Sequence, residues 1–276
     1  MFRQIIDRGH RKPPWDALDP SRVSDADREL GLRAWASRAN AEYLSMALFA
    51  ELSARAAEIG MPLEITCGLS RLVQDEARHS ELCARVSSAL GGPDAVTLPA
   101  EELSFRTRSA PHTAVSNELG FARWVLGMFC VGEASSVALL EAMANVAADD
   151  PCIAVVLETL HQDEVLHDRF GWAVAEMLVP RFDEAERDWL GAELAQALAF
   201  YEKLHAPDFL VSSSSELPAP DGEPGLRMGM LAALEHARIF YERIEHTILP
   251  RLDRMGIGAW EAWSLRREVP VTIRPV

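Results

Sequence analysis

Two five-residue stretches concentrate the chemistry of this chain: Asp75-Glu76-Ala77-Arg78-His79 and Asp163-Glu164-Val165-Leu166-His167. In each, a Glu and a His stand three residues apart, which on a helix puts both side chains on one face, about one turn from each other. A carboxylate and an imidazole offered together suit a divalent transition metal. Spacing alone is a weak signal, because Glu158/His161 and Glu202/His205 repeat it and a chance match is expected in a chain of this composition. Two features set the first pair of stretches apart. Each is preceded by Asp, and each lies at nearly the same depth after a proline, Pro62 or Pro151.

The elements that must position these side chains read as helices. Ser24, with Asp27 three residues on, caps a helix running to Gly60. Pro62 suits the first turn of a second helix, which Gly91-Gly92-Pro93 stops after about Leu90. A polar loop leads to Ser116, the cap of a third helix ending near Ala148. Asp150 and Pro151 open a fourth that ends before Pro180. The expected organisation is an N-terminal extension (1–23) and one all-α domain (24–255). That domain comprises a core bundle (24–179) and two additional helices (183–204 and 225–249) around a loop at 206–224. A C-terminal tail covers 256–276, and its stretch from Arg266 to Val276, with Pro270 and Pro275, reads as extended.

In an antiparallel hairpin, a residue level with Glu164 lies about as far before the turn as Glu164 lies after it. Glu133 meets that condition. For Glu76 the candidates are Glu42 and Glu51. Glu42 matches in depth and shares a face with Trp35, Ala39, Met46 and Phe49, whereas Glu51 falls near the turn and shares a face with Arg55. Glu133 sits among Leu126, Phe129, Cys130, Val137 and Leu140. A carboxylate on an apolar stripe is costly unless paired or ligated.

The resulting set is Glu42, Glu76, His79, Glu133, Glu164 and His167. Four carboxylates balance two divalent cations, and an oxygen/imidazole shell suits iron or manganese better than zinc or calcium. The set resembles the ligand pattern of ferritin-like, carboxylate-bridged di-iron proteins, over roughly residues 27 to 178: one Glu from each of two helices and Glu-x-x-His from each of the other two. The resemblance implies a ferritin-like four-helix bundle with two bound Fe ions (Mn or mixed Mn/Fe being compatible). It also implies that Asp75 orients His167 and Asp163 orients His79, each accepting the N–H of a metal-bound imidazole. The alternative for these aspartates is a solvated pair with an arginine such as Arg78. His161, one turn before Glu164, resembles the additional histidine ligand of di-iron N-oxygenases, though at an offset of three where that family has four. A packing histidine is the other reading. Cys83 stands where the small subunits of ribonucleotide reductases carry a radical tyrosine, which argues against that activity.

What such a site implies is dioxygen activation and oxidation of a small-molecule substrate, with an electron-donor protein as a further partner and a homodimer as a compatible state. The alternative is a ferroxidase, peroxidase or iron-storage protein of the ferritin or rubrerythrin kind. Against it stand the length of the chain and the absence of C-x-x-C pairs. The net charge of −15 excludes a nucleic-acid partner as the main expectation. The N-terminus lacks the apolar core of a secretory signal, and no stretch reads as a membrane span. Four scattered cysteines read as buried thiols, so the expected location is cytoplasmic. His236, Glu242 and His246 read as a charged helix face.

Overall fold

The computed structural model describes residues 11–93, 115–219 and 228–269, and every regular element among them is helical. Four long helices come first: α1 (Asp25–Glu58), α2 (Leu63–Ala89), α3 (Asn117–Val146) and α4 (Pro151–Leu178). Then come α5 (Glu184–His205), α6 (Ala233–Arg243, continuing through Ile244–Ile248 to Leu249–Arg254) and α7 (Ala259–Leu265).

The starts are set by capping side chains. Ser24 accepts from the Asp27 N–H and Ser116 from the Leu119 N–H, while Asp150 accepts from the Cys152 and Ile153 N–H groups. Asp183 and Glu186 form a reciprocal capping box at α5. These residues satisfy donors that have no partner within the helix.

Two sequence expectations need correction. The sixth helix begins at Ala233, not 225, and extends to Arg254. The tail expected over 256–276 contains α7, which Gly258 enters in the left-handed region (φ 62°) that glycine adopts without strain. The extension at 1–23 includes two single 3-10 turns, Trp15–Ala17 and Pro20–Arg22. The expected polar loop before Ser116 falls largely outside the described residues, as do residues 1–10, 220–227 and 270–276.

Helix α3 is not uniform. Its middle, Val125–Glu133, is π-helical, with the wider turn carried straight into α-helix at Ala134. The Ala134 carbonyl accepts from Arg243 Nε of α6 at 2.9 Å. A second π segment, Ile244–Ile248, precedes Pro250, which has no N–H to give, and the two π segments pack on each other. By length and apolarity α3 meets the measure of a membrane span, which the sequence reading did not anticipate. Most of that stretch is buried by the other helices.

Helices α1 and α2 pack along their lengths, as do α3 and α4, and α2 meets α4 across the interior. The apolar core forms two clusters. One contains Phe49, Leu69, Leu72, Phe129 and Trp172; the other contains Trp35, Ala39, Cys83, Leu140 and Leu160. Between the stretches of the two clusters lie Glu42 on α1, Asp75 to His79 on α2 and Asp163 to His167 on α4, while Glu133 on α3 stands near the end of the first cluster. The polar side chains form a layer between two oily ones.

Candidate metal centre

The six residues converge. Two groups of potential ligand atoms, each within 4.8 Å of one another, are Glu42–Glu76–His79–Glu164 and Glu76–Glu133–Glu164–His167. Glu76 and Glu164 belong to both, which places them between the groups. His79 Nδ1 lies 3.4 Å from Glu164 Oε1 and 3.8 Å from both Glu42 Oε2 and Glu76 Oε2. His167 Nδ1 lies 3.1 Å from Glu76 Oε1, 3.5 Å from Glu164 Oε2 and 3.6 Å from Glu133 Oε2. The imidazole centroids are 5.8 Å apart.

Burial makes the layer demanding. His79, His167, Glu76 and Glu164 have side chains no more than 4% exposed, while Glu42 and Glu133 keep 12% and 11%. Both Glu76 oxygens, Glu164 Oε2 and the Nδ1 atoms of His79 and His167 are buried without a hydrogen-bond partner. Buried polar atoms ordinarily have partners, and so many orphans facing one point need a common one. A pair of cations fits: every orphan is a lone-pair donor once deprotonated, and the donor set is oxygen with imidazole nitrogen.

The protonation pattern agrees. Burial, aided by the charges of Glu42 and Glu164, pushes the Glu76 carboxyl up to about 8 against the pull of the histidines. Burial and Glu164 likewise raise Glu133. Glu164 goes the other way: burial would raise it, but the hydrogen bond from Glu133 and the His167 charge hold it low. Burial disfavours charge on His79, yet Asp163 and the surrounding glutamates hold it well above its ordinary value. His167 is raised despite its burial, chiefly by the charge of Glu164, with Asp75 adding to it. The atoms that hold these protons are the ones that would ligate a cation, so protons and metal compete for the same cluster.

Behind the imidazoles stand the aspartates. Asp163 Oδ2 lies 3.1 Å from His79 Nε2, within hydrogen-bond range; Asp75 Oδ2 lies 3.7 Å from His167 Nε2, beyond it. Arg78, 4% exposed, bridges the two aspartates, reaching Asp163 at 2.8 Å, and Arg71 adds a 2.9 Å contact to Asp75. An imidazole contact and an arginine partner, alternatives in the sequence, occur together at Asp163, which is buried and not solvated. The cross-helix tie through Arg78 was missed, although the residue lies inside the first motif.

The remaining candidates separate cleanly. His161 is half-buried and belongs to neither group, and Glu158 is exposed against Arg11. Glu202 turns to Arg266, Arg267 and Tyr241, and Glu51 pairs with Arg55. Three cysteines are buried as expected; Cys67 is exposed. Gly132, one of the small residues beside Glu133, lets Tyr201 pack on the π segment where a Cβ would collide with its ring and hydroxyl. Glu242 and His246 are exposed, but His236 is half-buried and faces His205.

Comparison of the chain with family models, curated proteins and solved structures finds no match. The reading of the site therefore rests on its geometry.

Proposed function

We propose that this chain is a non-haem di-iron oxidoreductase built on a ferritin-like four-helix core, and that it oxidises a small organic substrate with dioxygen. The observation that carries the reading is the pair of buried Glu/His groups sharing Glu76 and Glu164, with their inward atoms unpartnered. Glu42 and His79 would hold one ion, Glu133 and His167 the other, with Glu76 and Glu164 between them. Manganese is compatible with the same donors.

When bound, the metal pair supplies reduction of dioxygen at two adjacent redox-active ions. The chain's own groups do the rest. Asp163 Oδ2 would accept a hydrogen bond from His79 Nε2–H, fixing the tautomer that leaves the Nδ1 lone pair free, and Arg78 holds Asp163 in place. Phe49, edge-on to His167 with centroids 5.9 Å apart and stacked on Phe129, closes one side to water. Glu42 and Glu133, the two carboxylates that keep some exposure, mark the side from which oxygen and substrate approach.

Anaerobic titration with ferrous iron, with metal counted per chain, followed by mixing with oxygen under rapid-scan absorption, tests the reading. About two ions per chain and an oxygen-dependent absorption change are expected. A chain that binds no metal, or whose Glu42→Ala and Glu133→Ala variants bind as well as the native chain, refutes it. Assembly into a many-subunit shell in size-exclusion chromatography would favour iron storage instead.

A further inference from the structure

Near Glu42 and Glu133, the two carboxylates that keep some exposure, stand basic and aromatic groups that the metal reading does not use. Arg38 stands one turn before Glu42 on α1, so both point to the same face. It is half-buried, and its hydrogen bond goes to Met143 Sδ at 3.2 Å; among the described residues no carboxylate pairs with it. In a chain with 42 acidic against 27 basic residues, a half-buried guanidinium without a carboxylate is out of keeping with its surroundings.

Beside it, His205 of α5 and His236 of α6 share a hydrogen bond, Nδ1 to Nε2, at 3.1 Å. Burial, with the Arg38 charge contributing in both cases, keeps both imidazoles neutral, His236 down to about 4. In a neutral pair the shared bond uses one N–H and one lone pair, which leaves the pair one further N–H to donate. The rings continue as a wall: His205 stacks on Tyr201 (9° between planes) and on His236, and approaches Phe240 at 5.2 Å. That wall leads back to the candidate centre, because the Tyr201 hydroxyl packs on Gly132, next to Glu133.

We propose that the substrate of this site is a small organic anion with a flat apolar body, its carboxylate held by Arg38 and the His205–His236 pair, its body along the Tyr201 ring. This rests on the di-metal reading for what happens to the substrate, but not for its binding. A guanidinium with one additional N–H donor matches a carboxylate and gives a neutral amide no equivalent ion pair.

Calorimetric titration of the full chain with phenylacetate and its neutral counterpart phenylacetamide tests the inference, with and without bound manganese(II). Phenylacetate is expected to bind at least about tenfold more tightly than phenylacetamide, and Arg38→Gln to remove that preference while leaving the metal count unchanged. Arg38→Lys is expected to restore part of it, and His236→Gln to weaken phenylacetate binding in a chain that keeps its charge at position 38. Equal binding of acid and amide, no binding of either, or an acid preference that survives Arg38→Gln overturns the inference; the last result would place the carboxylate on the metals. Absence of metal binding would sink the di-metal reading alone, since the dependence on Arg38 is measurable in the metal-free chain.

Discussion

Glu164 and Glu202 begin the same Glu-x-x-His spacing, are almost equally buried, and differ in what surrounds them. Around Glu202 the chain supplies its own cations. Arg266 reaches Oε1 through both Nε and Nη2, Arg267 adds a bond at 2.8 Å, and the Tyr241 hydroxyl donates at 2.6 Å. Burial there is more than offset and the carboxyl stays low. Around Glu164 the neighbours are three more glutamates and two imidazoles, and the Arg78 guanidinium is spent on the aspartates behind. One site is a finished ion pair that pins α7 and the segment after it to α5. The other has no guanidinium of its own. Buried charge is tolerated only when compensated, so the second site either keeps protons on Glu76, Glu133 and the imidazoles or takes up the cations proposed above.

The largest expected effect breaks this contrast from both sides. Glu76→Ala or Glu164→Ala removes a group common to both sets and should reduce bound metal from about two per chain to below about one, with little loss of metal-free stability. Glu202→Ala should do the reverse: unchanged metal, but a loss of about 3–5 kcal/mol in denaturant unfolding, because two guanidiniums are left without their carboxylate. If Glu202→Ala changes the metal count instead, the distinction between the two carboxylates collapses.

The two sites also differ in how they respond to pH. Glu76 and Glu133 titrate above the ordinary 4.5, and His79 and His167 above 6.5, so these four groups bind more protons in the metal-free folded chain than in the unfolded one; His205 and His236, held below 6.5, oppose them up to about that pH. The stabilising protonation of the four is complete below the ordinary values and lost as pH rises, so metal-free stability should fall with pH above about 6.5, where His205 and His236 no longer oppose it, and on toward pH 8. Glu202, held below 4.5, contributes fully throughout that window and adds no slope. With metal bound the ligands are deprotonated in the folded state, and stability should instead rise with pH up to about 6.5, as the unfolded histidines lose their protons. Thermal melts across this range, with and without manganese(II), check the change of sign; parallel slopes would argue that no ion enters the cluster.

A smaller effect ranks the two aspartates. Asp163→Asn replaces an acceptor at hydrogen-bond distance from His79, whereas Asp75→Asn acts on His167 across 3.7 Å. Both should weaken metal binding, by about 10–100-fold for the closer pair and less for the other. Competition with a chelator of known affinity measures the order.

Much of the bundle could be read from local chemistry. Ser24, Ser116, Asp150 and Asp183 announce helix starts because a capping side chain acts within three residues of itself. Glu42, Glu133 and the two motifs could be aligned because depth in an antiparallel hairpin is a matter of counting. What escaped depends on partners distant in sequence. Arg78 has meaning only because Asp163 faces it from another helix, and His236 reads as part of a charged face until α6 brings it against His205. The π segment ending at Glu133 leaves no local mark either; Arg243, from far along the chain, meets the carbonyl next to it. Helix α7 was read as tail because its seven residues are too few to show a period, and its position depends on the bond from Arg266 to Glu202.

The smallest expected effect is none, and it tests whether geometry or spacing carries the site. Glu158 and His161 reproduce the motif on the same helix as Glu164 and His167, a few residues earlier. Yet Glu158 pairs with Arg11 in solvent, and His161 stands outside both groups. Glu158→Ala and His161→Ala, singly or together, should leave two metals bound per chain and the oxygen-dependent absorption unchanged, with stability within about 0.5 kcal/mol of the native chain. Loss of one metal in His161→Ala would instead make this imidazole a ligand. That would require α4 to shift so that a side chain now outside the cluster turns inward, and it would move the centre from six protein ligands toward seven.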